Sequence, residues 1–334
     1  MNKPHTNLFR EISKRPTLLE FLKGQKSLSL IFDLIDELEI DRKEIFKQLY
    51  KKVGNTPVHK VDLGNNNSLH IKLECNNKMG NNHYSRYWLI HLALAEAFKI
   101  IAPNKTKIIE VTSGSSGISL SLACEQLGYD LTMIVPKSLP KGRTKPIINA
   151  GATVIKADGY IDACIDMLRN MLSQDNYYAA NHSEEKSNLI TYVFSRMASE
   201  YISTCGSPDA AVLGLGNGTS TEAAARTFKE TSISTKIYSY YPDFDSKQIV
   251  FGLFGPNVEL RHVPNAKKLV DKMFYTSEGQ IKEVKELFKN DKIILSLGIS
   301  SLYAIAFVIR LSKTTNNLTY YSIGYDKIER YSNI

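Results

Sequence analysis

A chain of 334 residues with 43% hydrophobic content can bury a sizeable core, as one large domain or two closely joined ones. Its net charge of +8 comes from scattered Lys and Arg, with no basic run and no aromatic-interleaved basic strip, which argues against a nucleic-acid partner. No apolar stretch reaches the roughly eighteen residues of a membrane span, and residues 1–10 lack the apolar centre of a secretory signal; the expectation is a cytoplasmic protein with no membrane partner.

The first residues show no pattern. Leu28, Ile31, Phe32, Ile35 and Leu38, then Ile45, Phe46 and Leu49, recur at helical spacing, which predicts one or two amphipathic helices over residues 28–51. From residue 70 short apolar runs alternate with longer helical segments. Strands are predicted at His70–Leu73, Lys107–Val111, Leu131–Val135, Thr153–Lys156, Ala210–Leu215, Lys236–Tyr240, Ile293–Leu297 and Leu318–Ile323. Helices are predicted at Arg86–Phe98, Gly117–Leu127, Ile161–Leu172, Asn188–Tyr201, Ser220–Lys229, Ser277–Phe288 and Ser301–Arg310. This alternation points to βαβ units, hence an α/β fold with parallel sheets flanked by helices.

Three strand-to-helix loops carry candidate chemistry. Thr112, Ser113, Gly114, Ser115, Ser116 and Gly117 follow a strand and open a helix, so backbone N–H groups and hydroxyls converge at the positive end of a helix dipole. That is a carboxylate or phosphate site, or else a Gly/Ser cap with no ligand. Gly214, Leu215, Gly216, Asn217, Gly218, Thr219 and Ser220 form a second such turn, where glycines let backbone approach an anion and Thr219 and Ser220 can donate. Gly298, Ile299, Ser300 and Ser301 form the third. Four cysteines (Cys75, Cys124, Cys164, Cys205) without CxxC spacing predict reduced thiols, and the absence of a helical His pair predicts no metal site.

These loops, in this order, with Val53–Pro57 (Val-Gly-Asn-Thr-Pro) and Ile71–Glu74 (Ile-Lys-Leu-Glu) before them and Asp326–Tyr331 after, resemble the fold type II pyridoxal-phosphate (PLP) enzymes. The likeness is greatest to the cysteine synthase and cystathionine β-synthase group, within the tryptophan synthase β-like fold, and it spans about residues 53–332. It implies two parallel-sheet domains, the larger from 53–86 and 179–334 and a smaller mobile one from 87–178, preceded by an N-terminal helical extension over 1–52. It also implies that Thr112, Ser113, Gly114, Ser116 and Gly117 grip a substrate carboxylate. Gly214, Gly216, Asn217, Gly218, Thr219 and Ser220 would cradle the cofactor phosphate, Ser300 or Ser301 would meet the pyridine nitrogen, and Ser115 would stand where an Asn contacts the ring hydroxyl. Asn217 and Thr219 replace a Thr and a Gly of the pattern, so a Cβ at Thr219 is expected to narrow the cradle or forbid a positive φ. Leu302 and Tyr303 replace Gly-Ala and are expected to crowd the pocket.

The catalytic position departs most. The family pattern Asn-Pro-x-Gly-Ser-x-Lys-Asp-Arg aligns its Schiff-base Lys with His83, or with Tyr84 if one residue is inserted. Neither is a primary amine, so PLP is not expected as an internal aldimine at position 83, and Lys78 is the one amine nearby. His83 is either a general acid or base titrating near neutrality or a filler for the space a lysine would take.

The leading expectation is a homologue that binds a small amino acid or anion without ordinary PLP catalysis, as a homodimer or beside a partner enzyme. The competing one is an active PLP-dependent β-elimination or β-replacement lyase or synthase acting on an O-activated serine or related amino acid.

Overall fold

The computed structural model describes residues 4–24, 27–174, 177–183, 188–242, 250–253, 260–277 and 279–332. The chain divides into two compact units, one from Met1–Gly54, Asn77–Val193 and Ser332–Ile334, the other from Asn55–Asn76 and Phe194–Tyr331. Ten strands run β1 Val58–Asp62, β2 Ser68–Lys72, β3 Lys107–Val111, β4 Asp130–Pro136, β5 Thr153–Ala157, β6 Tyr177–Tyr178, β7 Ala210–Gly214, β8 Lys236–Pro242, β9 Lys272–Thr276 and β10 Thr319–Ile323.

The first unit holds a four-stranded parallel sheet in the order β5-β4-β3-β6. Its helix Tyr84–Ala97 is buried along almost its whole length, which suits its largely apolar run from Tyr87 to Ala95, although Ser85, Arg86 and His91 are buried with it. The N-terminal helices cover this unit. Arg42 of helix Ile40–Tyr50 makes a bidentate pair with Glu96 at 2.7 and 2.8 Å and donates to the Leu127 carbonyl, while the Arg15 guanidinium lies 4.1 Å over the Phe98 ring.

The second unit holds a six-stranded sheet, β1-β2-β10-β7-β8-β9, parallel except for the β1–β2 pair. Strand β7 is buried at every residue, as a continuous apolar run in the middle of a parallel sheet should be. Helix Ile299–Ser312 fills the core beside it, with Phe307 stacked on Phe274 at 4.9 Å. Leu302 and Tyr303 are both fully buried in that core.

Some expectations need correction. Ile293–Leu297 is no strand: Lys292–Ser296 is a short helix, because the Asp291 carboxylate accepts the Ile293 and Ile294 N–H groups at 2.9 and 3.0 Å and caps it. The unpatterned start folds into helices Pro4–Ser13 and Pro16–Lys23, the second opened by Pro16 and burying Leu18, Phe21 and Leu22. Over 28–51 the segments Leu28–Leu30, Ile31–Leu34 and Ile40–Tyr50 are helical, but Ile45 is 36% exposed and off the buried face that holds Phe46 and Leu49. Strands β1, β6 and β9 and helices Lys141–Asn149 and Val263–Leu269 carry too few apolar repeats to have been foreseen.

Candidate functional site

In the first unit, β3 ends at Val111 and the chain turns through Thr112–Gly117 into helix Ser115–Leu127, with Gly114 at φ +127 as its cap. No side chain with a Cβ fits there, since the atom would come 2.5 Å from Arg143 Cδ. Thr112 Oγ1 accepts the Gly114 and Gly117 N–H groups, both at 2.9 Å, and shapes the loop from within. Ser116 accepts the Trp88 indole N–H on its hydroxyl and its carbonyl, each at 3.1 Å. Buried Arg143 donates to the Ser113 carbonyl at 2.9 Å and sets a cation against this turn.

Asn82 joins the loop to the His83 segment. Its Nδ2 donates to the Ser115 carbonyl at 3.0 Å and to Gly80, and its Oδ1 accepts from Ser119 Oγ and the Tyr84 N–H, both at 2.9 Å. Gly80 has φ +77, and a Cβ there would meet Ser119 Oγ at 2.6 Å. His83 then precedes helix Tyr84–Ala97, buried, its ring 4.4 Å from that of Tyr84. Burial, reinforced by Arg86 and His182, pushes its pKa down to about 3. Burial thus favours the neutral imidazole for His83.

Around it lies a set of rings. The His182 ring is 5.4 Å from that of Tyr84 and 5.5 Å from that of Trp88, and His182 Nδ1 is 3.5 Å from the Glu110 carboxylate. His91 bonds the Tyr87 and Tyr178 hydroxyls at 3.0 and 2.6 Å, and burial foremost lowers its pKa to about 3 as well. Sequence reasoning missed Asn82, Trp88, Glu110, Arg143 and His182. Glu110 gave the one available signal, an acid at the fourth position of an otherwise apolar strand end.

The second unit holds the other two loops, and Tyr325 links them. Its N–H donates to Ser301 Oγ at 3.0 Å and its phenol lies against Ser220 and the Gly214 backbone. Ser300 accepts from the Tyr331 hydroxyl at 3.3 Å, and its carbonyl accepts from Tyr240 at 2.7 Å. In the glycine turn, Asn217 Oδ1 accepts the Thr219 N–H at 3.2 Å and the Thr219 hydroxyl at 2.7 Å. The positive φ falls on Gly218, at +87, so Thr219 opens helix Thr219–Thr231 without strain. In the first turn Glu222 pairs with His262 Nδ1 and with Arg226, both at 2.8 Å. Burial pushes its pKa up, but these partners prevail and hold it below the usual carboxylate range.

The lysines closest to position 83 in sequence are placed as follows. Lys72 is buried, with Nζ 2.6 Å from the Thr56 carbonyl and 2.8 Å from Glu200, whereas Lys78 is exposed. The thiols of Cys75 and Cys164 are pushed up to about 12 by burial, which leaves them protonated and unreactive. Among the described residues no group of three or more His, Cys, Asp or Glu side chains is placed to hold a metal, and no helix is long and apolar enough to cross a membrane.

A sequence profile of the family described as "Pyridoxal-phosphate dependent enzyme" matches residues 49–316. The chain belongs to that family. Within it, the chain is 25% identical to cysteine synthase B of Pseudomonas aeruginosa over 285 residues, covering 84% of this chain and 93% of the relative. The fold is that of O-acetylserine dependent cystathionine beta-synthase from Helicobacter pylori, with a TM-score of 0.73 or better for this and the next structure, 20% identity, and 85% and 96% of the two chains covered (TM-score 0.75). The next is a lysine-to-alanine mutant of O-ureido-L-serine synthase with O-ureido-L-serine bound, at TM-score 0.73, 19% identity and coverage of 85% and 91%. The family member is thus cysteine synthase-like, an α/β fold type II protein.

Proposed function

We propose that this cysteine synthase-like chain has lost the Schiff-base lysine, with His83 in its place, and binds a small amino acid or anion at Thr112–Gly117 without ordinary PLP catalysis. The observation that carries the reading is the identity and placement of residue 83, a buried imidazole with no primary amine. An aldehyde cofactor condenses with a primary amine and is released by transfer to an incoming one; a neutral imidazole supplies neither step. Lys72 is committed to Glu200 and the Thr56 carbonyl, and exposed Lys78 precedes the Gly80 turn.

The phosphate turn fits the cofactor poorly too. The Thr219 donors of the glycine turn are directed to Asn217, whereas Ser300 and Ser301 only accept, from Tyr331 and Tyr325, and keep their own hydroxyl protons. No catalytic step is therefore routed through PLP. What the first loop offers for recognition is a helix start with buried Arg143 beside it, which suit a carboxylate, although its Gly114 and Gly117 N–H groups are already turned to Thr112 Oγ1.

The names of the relatives favour a second reading, an active lyase or synthase acting on an O-activated serine, which would require a relocated amine at Lys78. Calorimetry with small amino acids tests the proposed binding. Micromolar to millimolar binding is expected, weakened by about 1 kcal/mol in Ser116→Ala, which removes one hydrogen-bonding hydroxyl. Equal affinity in wild type and variant, or no binding to either, would exclude this loop as the site.

A further inference from the structure

We propose that the Gly214–Ser220 turn is an anion site held shut by the chain's own side chains, so that no phosphate group is bound at this turn. The inference rests on the reading above that no cofactor is held covalently. A glycine-rich turn from strand to helix ordinarily offers an incoming anion its N–H groups and hydroxyls. Here two of those donors already converge on one oxygen, Asn217 Oδ1, at 3.2 Å from the Thr219 nitrogen and 2.7 Å from its hydroxyl. Thr219 has no exposed surface, so water cannot take over these bonds when an anion approaches.

The helix end is already charge-balanced. Glu222 stands in its first turn, paired with His262 and Arg226, and all but Arg226 are buried. A phosphate brought to the same turn would face that carboxylate in surroundings of low polarity. The turn also has no room to open on its packed side. A Cβ on Gly216 would lie 2.3 Å from the Gly252 carbonyl oxygen, and one on Gly218 2.5 Å from the His262 carbonyl carbon. Backbone from two later segments therefore rests directly on the glycines, and Tyr325 lies against Ser220.

Titration calorimetry with inorganic phosphate tests the closure. Wild type is expected to bind none at this turn, whereas Asn217→Ala, which releases both Thr219 donors, gains affinity by about tenfold or more. Asn217→Asp keeps an acceptor of the same reach and stays closed. Phosphate taken up at the Thr112–Gly117 loop instead would be weakened by Ser116→Ala and untouched by Thr219→Ala, which leaves the inference standing. Wild-type binding that Thr219→Ala abolishes overturns it, and so does an Asn217→Ala protein that melts like wild type and gains nothing. The wild-type arm decides alone if Asn217→Ala does not fold. Failure of the functional reading has a separate sign, namely loss of amino-acid binding or a lysine adduct with PLP.

Discussion

His83 and His91 stay neutral because burial refuses the charged form. Both pKa values fall from about 6.5 unfolded to about 3 folded, so between these limits the unfolded chain binds protons that the folded one rejects. Stability is thus intact above the unfolded value and declines as pH drops through the window. Urea unfolding between pH 7 and pH 5 should show a slope approaching about 1.4 kcal/mol per pH unit for each histidine, and His83→Gln should lose its share. An unchanged slope in the variant would mean that protons reach His83 in the folded protein. His83→Lys should give a pyridoxyl adduct that borohydride traps, weakly with Asn217 in place and more strongly when Asn217→Ala is added. Turnover of O-acetylserine should stay poor, since Ser115 is short for the ring hydroxyl and misplacement by an ångström costs roughly a hundredfold in rate. Rapid turnover by His83→Lys alone would contradict the closed turn. At this scale His83, Ser115 and Asn217 were legible as departures from a motif. Asn82, Trp88, Arg143 and His182 were not, because they reach the loop from other segments, and a single chain's spacing carries no record of that.

Helix Lys292–Ser296 depends on its cap. Asp291 accepts two N–H groups and lies 2.7 Å from His59 Nε2, so Asp291→Ala should cost about 1 kcal/mol, with the urea midpoint as the readout. A midpoint equal to that of wild type would mean that the cap contributes nothing. The apolar run Ile293–Leu297 read as a strand because a short apolar stretch does not separate strand from helix, and the deciding signal was the Asp before it. Gly298 shows the reverse case, where contact rather than pattern fixes the residue. A Cβ there would lie 1.9 Å from Asp326 Oδ1, so Gly298→Ala should destabilise by roughly 1–3 kcal/mol through overpacking, and a neutral effect on the urea midpoint would show that the closing segment yields easily. Central strands were legible because they are largely buried and mostly apolar, β7 as a continuous run and β3 and β4 with one polar residue inside theirs. The edge strands β1 and β9 and the two-residue β6 were not, since half-exposed or very short strands leave little pattern.

The βαβ alternation and the order of the motifs were sufficient to anticipate two parallel-sheet assemblies and the family, which residues 49–316 bear out. Function does not follow from that fold, because the chemistry of this family is concentrated in one amine and the loops around it. The most direct test of the account is therefore made on the unaltered protein mixed with PLP: its absorbance spectrum, followed by borohydride reduction and mapping of any pyridoxyl group. The account predicts no internal-aldimine band and no adduct on Lys78 or Lys72, given His83 at the start of helix Tyr84–Ala97 and Lys72 held by Glu200. A stoichiometric adduct on Lys78 or Lys72 would contradict it and restore a working PLP enzyme.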